Sequence, residues 1–466
     1  MKKKIVSILL SVTMAGMLLA GCGSSAAPQA QAPAEGGDAP AAESAPADAA
    51  EADAAADAAA DTGAAAGGDN TLTVWAWDQN FNIYSINEAA KIYQRENPDF
   101  KLEVEEVSWD DLQTKLGTIL GAGNYDQLPD IMLMQDFAFR KYAMQYPDMF
   151  TDITNSGIDF SQFAAGKLSA STVDGKNLGI PFDNGAEIAC YRSDLLEEAG
   201  YTVDDLTNIS WTDFNRIGED VLKKTGYSLF STQAGSADII MQMMQSAGAS
   251  IWNDDGTPNI ANNATLKTCM ETYKMLFDSG VMATANSWDE YIATFTSGKT
   301  LGTINGCWIL ASVQSAEDQS GKWSMTNMPS LAGVNGATNY SNQGGSSWFI
   351  TSNCKNVELA SDFFAKTFAG SVELYETILP TAGALSTWTP AGDSDVYAQP
   401  SEFFGGQAIF KDITDYASKV PQWDMGVYYT EANTALATAV TNVVNGGNID
   451  EELQTAEDTV NFDMGN

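Results

Sequence analysis

From Thr71 onward the residues alternate between two periodicities in a fixed order, and that order constrains the fold more than anything else in the chain. Thr71-Leu-Thr-Val-Trp-Ala-Trp77 alternates with β-branched and aromatic residues, the pattern of a half-buried strand. Asn87 to Glu96 has helical spacing and stops before Asn97-Pro98. Lys101 to Val107 alternates again, and Trp109 to Gly121 is helical with Ser108 or Asp110 as N-cap. Pro129 to Met134 reads as a short buried strand and Phe137 to Tyr146 as a helix. A β-α-β-α-β succession predicts an α/β domain on a parallel sheet, with a ligand crevice at the carboxyl ends of its strands. Leu178 to Asp183 and Glu187 to Tyr191 read as a pair of strands at a turn. Helical spacing follows at Trp211 to Lys224, Ile239 to Ala247 and Asn263 to Ser279. Gly302 to Trp308 is a strand leading into a helix, and Ser346 to Thr351 is a strand before a mostly helical end. Residues 71–466 are too many for one core, so two lobes are expected.

The first seventy residues have a different character. Lys2, Lys3 and Lys4 precede an apolar run from Ile5 to Ala20, too short to span a bilayer, and Leu19-Ala20-Gly21-Cys22 closes it. That tetrapeptide resembles the lipobox of bacterial lipoproteins, which implies cleavage before Cys22 and a diacylglycerol on its thiol. Gly23 to Asn70 holds no aromatic residue and no Ile, Leu, Val or Met, so it cannot form a core. It is expected to be a self-repelling tether with a coil dimension of roughly 35–40 Å, partly helical over Ala49 to Ala60.

Composition removes whole classes of function. With 23 basic against 61 acidic residues, a net charge of −38, the surface repels nucleic acid and anionic lipid. The complete absence of His excludes Ser-His-Asp triads, Cys-His pairs and His-ligated zinc. Cys190, Cys269, Cys307 and Cys354 lack metal-type spacing and are expected as buried free thiols. Asp254-Asp-Gly256 lacks the acid spacing of a calcium loop and reads as a hairpin turn, and Met241, Met243 and Met244 read as core. No cofactor and no metal is expected.

Five segments, in order, resemble the extracellular solute-binding proteins of ABC importers, in the family that contains maltose-binding protein. They are Leu72-Thr-Val-Trp-Ala-Trp77, Leu128-Pro-Asp-Ile131, Gly179-Ile-Pro-Phe-Asp-Asn184, Cys190-Tyr-Arg-Ser-Asp-Leu-Leu-Glu-Glu-Ala-Gly200, and Phe295-Thr-Ser-Gly-Lys299 through Trp308. The resemblance implies a two-lobed periplasmic-binding-protein-like fold (type II) that closes on its ligand about hinge strands. It places residues 71–183 and 346–370 in the first lobe and 184–345 and 371–466 in the second, with hinges near Asp183-Asn-Gly185, Gln343-Gly-Gly345 and Ala369-Gly370. It also implies carbohydrate capture for an ABC permease by a monomer. The anchored form fits the extracellular face of the cell membrane of a Gram-positive bacterium.

Sugars offer apolar ring faces edged with hydroxyls, so their sites need aromatic platforms with polar donors and acceptors beside them. Trp77 and Asp78 at the end of the first strand answer that need, Trp75 being assigned to the core. Gln135 and Asp136 stand at the same topological position after the third strand, Asp136 alternatively as an N-cap. Asp183 and Asn184 lie at the first crossing, with a hinge role equally open. Trp308 matches a Trp that stacks on sugar in maltose-binding protein, Asp238 matches the second lobe loosely, and Trp423 lies in a loop able to face the cleft. The alternatives are a surface glycosidase using two carboxylates, for which no motif stands out, and the same fold with a peptide, polyamine or anion as ligand.

Overall fold

A computed structural model describes residues 70–423 and 425–465; the leader, Cys22 and the tether lie outside the described residues. The chain opens with β1 (Thr71–Ala76), α1 (Asn82–Gln94), β2 (Lys101–Glu106), α2 (Trp109–Ala122), β3 (Ile131–Gln135) and α3 (Asp136–Gln145), in the expected order. Next come α4 (Ala165–Ala170), β4 (Thr172–Val173), β5 (Lys176–Asn177) and β6 (Gly179–Pro181). The second lobe starts with β7 (Glu187–Arg192), α5 (Ser193–Glu198), α6 (Trp211–Thr225), β8 (Phe230–Gln233) and α7 (Asp238–Ser246). It continues through α8 (Ala264–Asp278), β9 (Met282–Ala285), α9 (Trp288–Thr296), β10 (Gly302–Gly306), α10 (Leu310–Gln314) and β11 (Trp323–Thr326). The chain then returns through β12 (Ser346–Ile350), α11 (Val357–Lys366) and α12 (Val372–Ala382) before α13 (Ile409–Lys419), α14 (Tyr429–Val444) and α15 (Ile449–Asp463).

The first lobe is built on a five-stranded sheet in the order β2-β1-β3-β12-β6. β1 pairs parallel with β2 and β3, as the β-α-β order requires, but the returning β12 runs antiparallel to β3 and β6. Period-2 alternation divides the sheet's side chains: Leu72, Val74, Leu133 and Trp348 enter one core, and Trp75, Met132, Met134 and Phe349 the other. The buried Asp130 carboxylate ties β1 to β3 by accepting the Thr73 N–H at 2.9 Å and its hydroxyl at 2.8 Å. α2 begins where Ser108 accepts the Asp111 N–H at 3.2 Å, which settles the choice between the two caps.

The second lobe holds the antiparallel sheet β10-β7-β11 with helices on both faces. The two strands read as a pair at a turn are therefore separate: β6 ends the first-lobe sheet and β7 is the centre of the second. Met241, Met243 and Met244 are core, and the four cysteines are buried free thiols. The Asp254-Asp-Gly256 segment is a turn closed by the Asn253 N–H on the Thr257 carbonyl at 2.9 Å.

One boundary moves. Helix α12 and Trp388 pack into the first-lobe core with α1 and α11, so the chain does not cross at Ala369-Gly370. Leu379 and Leu385 already reach the second-lobe core, Ala391 is the last residue in the first-lobe core, and from Val396 on the chain packs on the second. The apolar face of α12 (Leu374, Tyr375, Ile378) decides this, because its burial outweighs the turn-forming tendency of a single glycine.

The two remaining crossings touch at Gly185, where the Gln343 N–H reaches the Gly185 carbonyl at 2.8 Å. A Cβ on Gly185 would stand 1.9 Å from the Gln343 carbonyl oxygen. Gly185→Ala should cost about 1–3 kcal/mol by overpacking. Gly117→Ala, in the interior of α2 with nothing within 4 Å, should instead gain about 0.5–1 kcal/mol. Urea unfolding of both variants measures the difference, and a neutral Gly185→Ala would show that the crossings have room to separate.

Candidate ligand-binding site at the seam between the lobes

The first-lobe sheet delivers several of the expected side chains to its carboxyl edge, and most of them are already engaged. Asp78 accepts the N–H groups of Asn80 at 2.8 Å and Phe81 at 3.0 Å, closing the turn into α1. Burial raises its pKa against those bonds, and the Glu106 carboxylate adds to the rise. Asp136 is no N-cap: it is the first residue of α3, ion-paired with Lys167 and accepting the Ser347 hydroxyl at 2.8 Å. Asp183 is buried and accepts the Ser346 N–H at 2.8 Å and hydroxyl at 2.6 Å. Of the two roles open to Asp183, this geometry supports the hinge role. Burial raises its pKa, opposed by the Lys167 charge and the Ser346 bonds. Half-buried Asn184 takes the Cys307 thiol on its carbonyl at 3.1 Å, and Gln135 sits half-buried at the end of β3.

The aromatic residues form a continuous row across the seam. Trp77 meets Trp109 edge-on at 5.4 Å, Trp109 meets Phe137 at 6.2 Å, and Phe137 of the first lobe meets Tyr429 of the second at 4.9 Å. Tyr429 then meets Trp423 at 5.8 Å. Beside this row an ion pair joins Lys141 on α3 to Glu431 on α14. Burial lowers the Lys141 pKa, with the Asp463 carboxylate pulling the other way. Several polar atoms at the seam are buried without a hydrogen-bond partner among the described residues: Asn82 Nδ2, Trp423 Nε1, Glu431 Oε2 and Asn433 Oδ1. Unmet buried polar atoms are rare in folded proteins, and a run of them along one seam marks a place for a ligand or water.

Trp308 sits at the hinge instead of in the row. It packs on the cores of both lobes, lies 5.8 Å from Trp288, and donates its indole N–H to the Gln343 carbonyl at 2.9 Å. The Gln343 side chain contacts Gln242 and Asp238 of the second lobe. Burial raises the pKa of Asp238. Next to it, burial and the Asp238 charge push the carboxyl of Glu187 well up. Thus the structure brings Trp77 and Trp423 into one row, gathers Trp308 and Asp238 about Gln343, and holds Asp78 in a local turn and Asp136 and Asp183 in bonds to residues distant along the chain. Sequence reasoning missed Trp109, Phe137, Tyr429, Lys141, Glu431 and Glu187. Only Glu187, an acid opening the otherwise apolar strand Glu187-Ile-Ala-Cys-Tyr191, carried a signal to find it.

Two lobes joined by paired crossings, with aromatic and unmet polar groups along the seam, define a ligand-binding protein of the hinge-closing kind. The chain belongs to the bacterial extracellular solute-binding protein family, whose pattern it matches over residues 88–405. It is similar to the lactose-binding protein of Rhizobium radiobacter, 36% identical over 387 residues that make up 83% of this chain and 91% of the relative. The fold is shared with the ABC transporter associated binding protein of B. animalis subsp. lactis Bl-04 in complex with β-1,6-galactobiose. There the TM-score is 0.73 at 20% identity, over 85% of this chain and 97% of that one. The GacH receptor of Streptomyces glaucescens gives 0.72 at 16% identity, over 86% and 98%.

Glu187 has a consequence for stability. Between the ordinary glutamate value of 4.5 and its raised folded value, the folded state keeps a proton that the unfolded state has released. Stability therefore falls as pH rises through that window. Glu187→Gln, neutral throughout, should flatten this part of the profile of urea midpoint against pH. Equal slopes in the two proteins would mean that Glu187 is ionised in the fold.

Proposed function

We propose that this protein captures an oligosaccharide outside the cell by closing its lobes and delivers it to an ABC permease, catalysing nothing itself. The observation that carries the reading is the row Trp77, Trp109, Phe137, Tyr429 and Trp423, which runs across the seam from one lobe to the other and supplies aromatic groups of the kind that sugar sites use. Unmet polar atoms beside the rings suit hydroxyls. The names of similar proteins point the same way: lactose-binding, arabinooligosaccharide-binding, and galactobiose-bound. Trp77, Trp308, Trp423, Gln135 and Asp238 are the ligand contacts we retain from the sequence, Trp308 also as the hinge anchor. A cationic ligand such as a polyamine is the second reading, favoured by the neighbouring acids Glu187 and Asp238. We further propose that the receptor acts as a monomer, held at the surface of a Gram-positive cell by a lipid on Cys22.

A thermal-shift screen with lactose, arabino-oligosaccharides, galactobiose and a set of polyamines separates the two readings. Sugar at one hundred times its Kd stabilises by ~2.7 kcal/mol, and Trp109→Ala and Tyr429→Ala should each abolish most of that shift. A shift with polyamines alone selects the second reading, and sustained release of reducing ends would make the protein an enzyme. Cys22→Ala should leave sugar binding intact while the protein escapes to the medium; retention on the cell would overturn the anchor.

A further inference from the structure

Glu187 opens β7 immediately after the first crossing and is fully buried, with neither carboxyl oxygen meeting a donor among the described residues. Alternation along β7 puts Glu187 on the same face as Ala189 and Tyr191, toward the core that contains α7. On α7, Asp238 is half-buried and keeps some contact with solvent, while Gln242 is 2% exposed with its Oε1 unmet. The Gln242 amide nitrogen is already used on the Gln343 side chain. Three acceptor side chains from two elements therefore converge at the base of the seam.

The two neutral donors in electrostatic contact with Glu187 are engaged elsewhere. The Tyr291 hydroxyl lies against Thr303 and accepts from the Asn305 amide at 2.9 Å, and the Cys307 thiol is given to the Asn184 carbonyl. Asp238 from α7, Tyr291 from α9 and Cys307 beyond β10 are the titratable groups in electrostatic contact with Glu187, and none of them is a cation. A buried carboxyl with no donor from its own fold keeps its proton, and it can ionise only when donors arrive from outside.

We infer that Glu187, Asp238 and Gln242 form a ligand subsite that accepts hydrogen bonds from the hydroxyls at one end of the captured sugar. The inference rests on the carbohydrate reading and sharpens it: the sugar end at the hinge must present neighbouring hydroxyl donors, and an analogue lacking one of them is rejected. Hydroxyl donors favour the carboxylate form, whereas burial by the protein alone favours the neutral one. Binding therefore expels a proton at any pH below the raised value of Glu187 and above its value in the complex.

The test is calorimetry with lactose and its monodeoxy analogues, in two buffers of different ionisation enthalpy, on the wild type, Glu187→Gln, Glu187→Met and Trp109→Ala. At least one deoxy analogue should bind the wild type ~100-fold or more weakly than lactose. Glu187→Met should bind lactose weakly but no longer tell it from that analogue, and Glu187→Gln should abolish the buffer-dependent heat. Trp109→Ala should weaken every analogue alike and keep the proton release. Wild-type affinity for lactose in Glu187→Gln, with unchanged rejection of every deoxy analogue, would overturn the inference while leaving the carbohydrate reading in place. Absence of binding by lactose and by every sugar of the screen would sink both.

Discussion

The backbone of Gln343 is the point on which the two-lobed arrangement depends. Its N–H reaches Gly185 on the other crossing, and its carbonyl takes the indole N–H of Trp308. Trp308 in turn packs on the cores of both lobes. On the first-lobe side, Asp183 grips Ser346 and Asp136 grips Ser347, so β12 is fastened immediately after the crossing. The side chain of Gln343 faces the other way, to Gln242 and Asp238. One residue thus joins the crossings to each other, to the aromatic anchor and to the polar base of the seam. A rotation about this point changes few buried contacts within either lobe, which is the requirement for hinge closure.

Much of this architecture was legible because it follows from local periodicity. Alternation at β1 and β3 and helical spacing at α1 to α3 dictate the β-α-β-α-β order. The run of Met on α7 is core for the same reason. What the sequence hid depends on partners distant along the chain. Glu187 and Asp183 are both acids at a crossing, yet one meets two donors from Ser346 and the other meets none, a difference set by residues far downstream. The third crossing was misplaced because a glycine is a weak signal beside the apolar face of α12, whose burial against α1 holds the chain in the first lobe. Trp109 reads only as a helix start and Tyr429 carries no local signal, since nothing local tells that both rings meet Phe137, one from each lobe.

Charge acts at two scales. The acidic excess keeps the surface away from nucleic acid and anionic lipid, and it says little about the seam. At the seam, the Lys141 and Lys167 ammonium groups are both taken by carboxylates of the protein. An anionic ligand drawing on either ammonium group would leave a partly buried acid without its partner, which is costly. Neutral, hydroxyl-bearing ligands avoid that cost because they can fill unmet acceptors without disturbing the paired cations.

The closing contacts themselves are few. Phe137 against Tyr429 and Lys141 against Glu431 reach directly from α3 to α14. A partly buried ion pair yields little net stability once desolvation is counted, and one tilted ring pair adds about 0.5–1.5 kcal/mol beyond area burial. Such contacts bring the closed state within reach without fixing it. The decisive increment has to come from something that touches both walls at once. On the proposed reading, a sugar on the aromatic row with its hydroxyls on the base acceptors supplies it through contact with both lobes. A ligand that touched only one lobe would bind without shifting the equilibrium, so on this reading a row running from Trp77 and Trp109 in one lobe to Tyr429 and Trp423 in the other couples capture to closure.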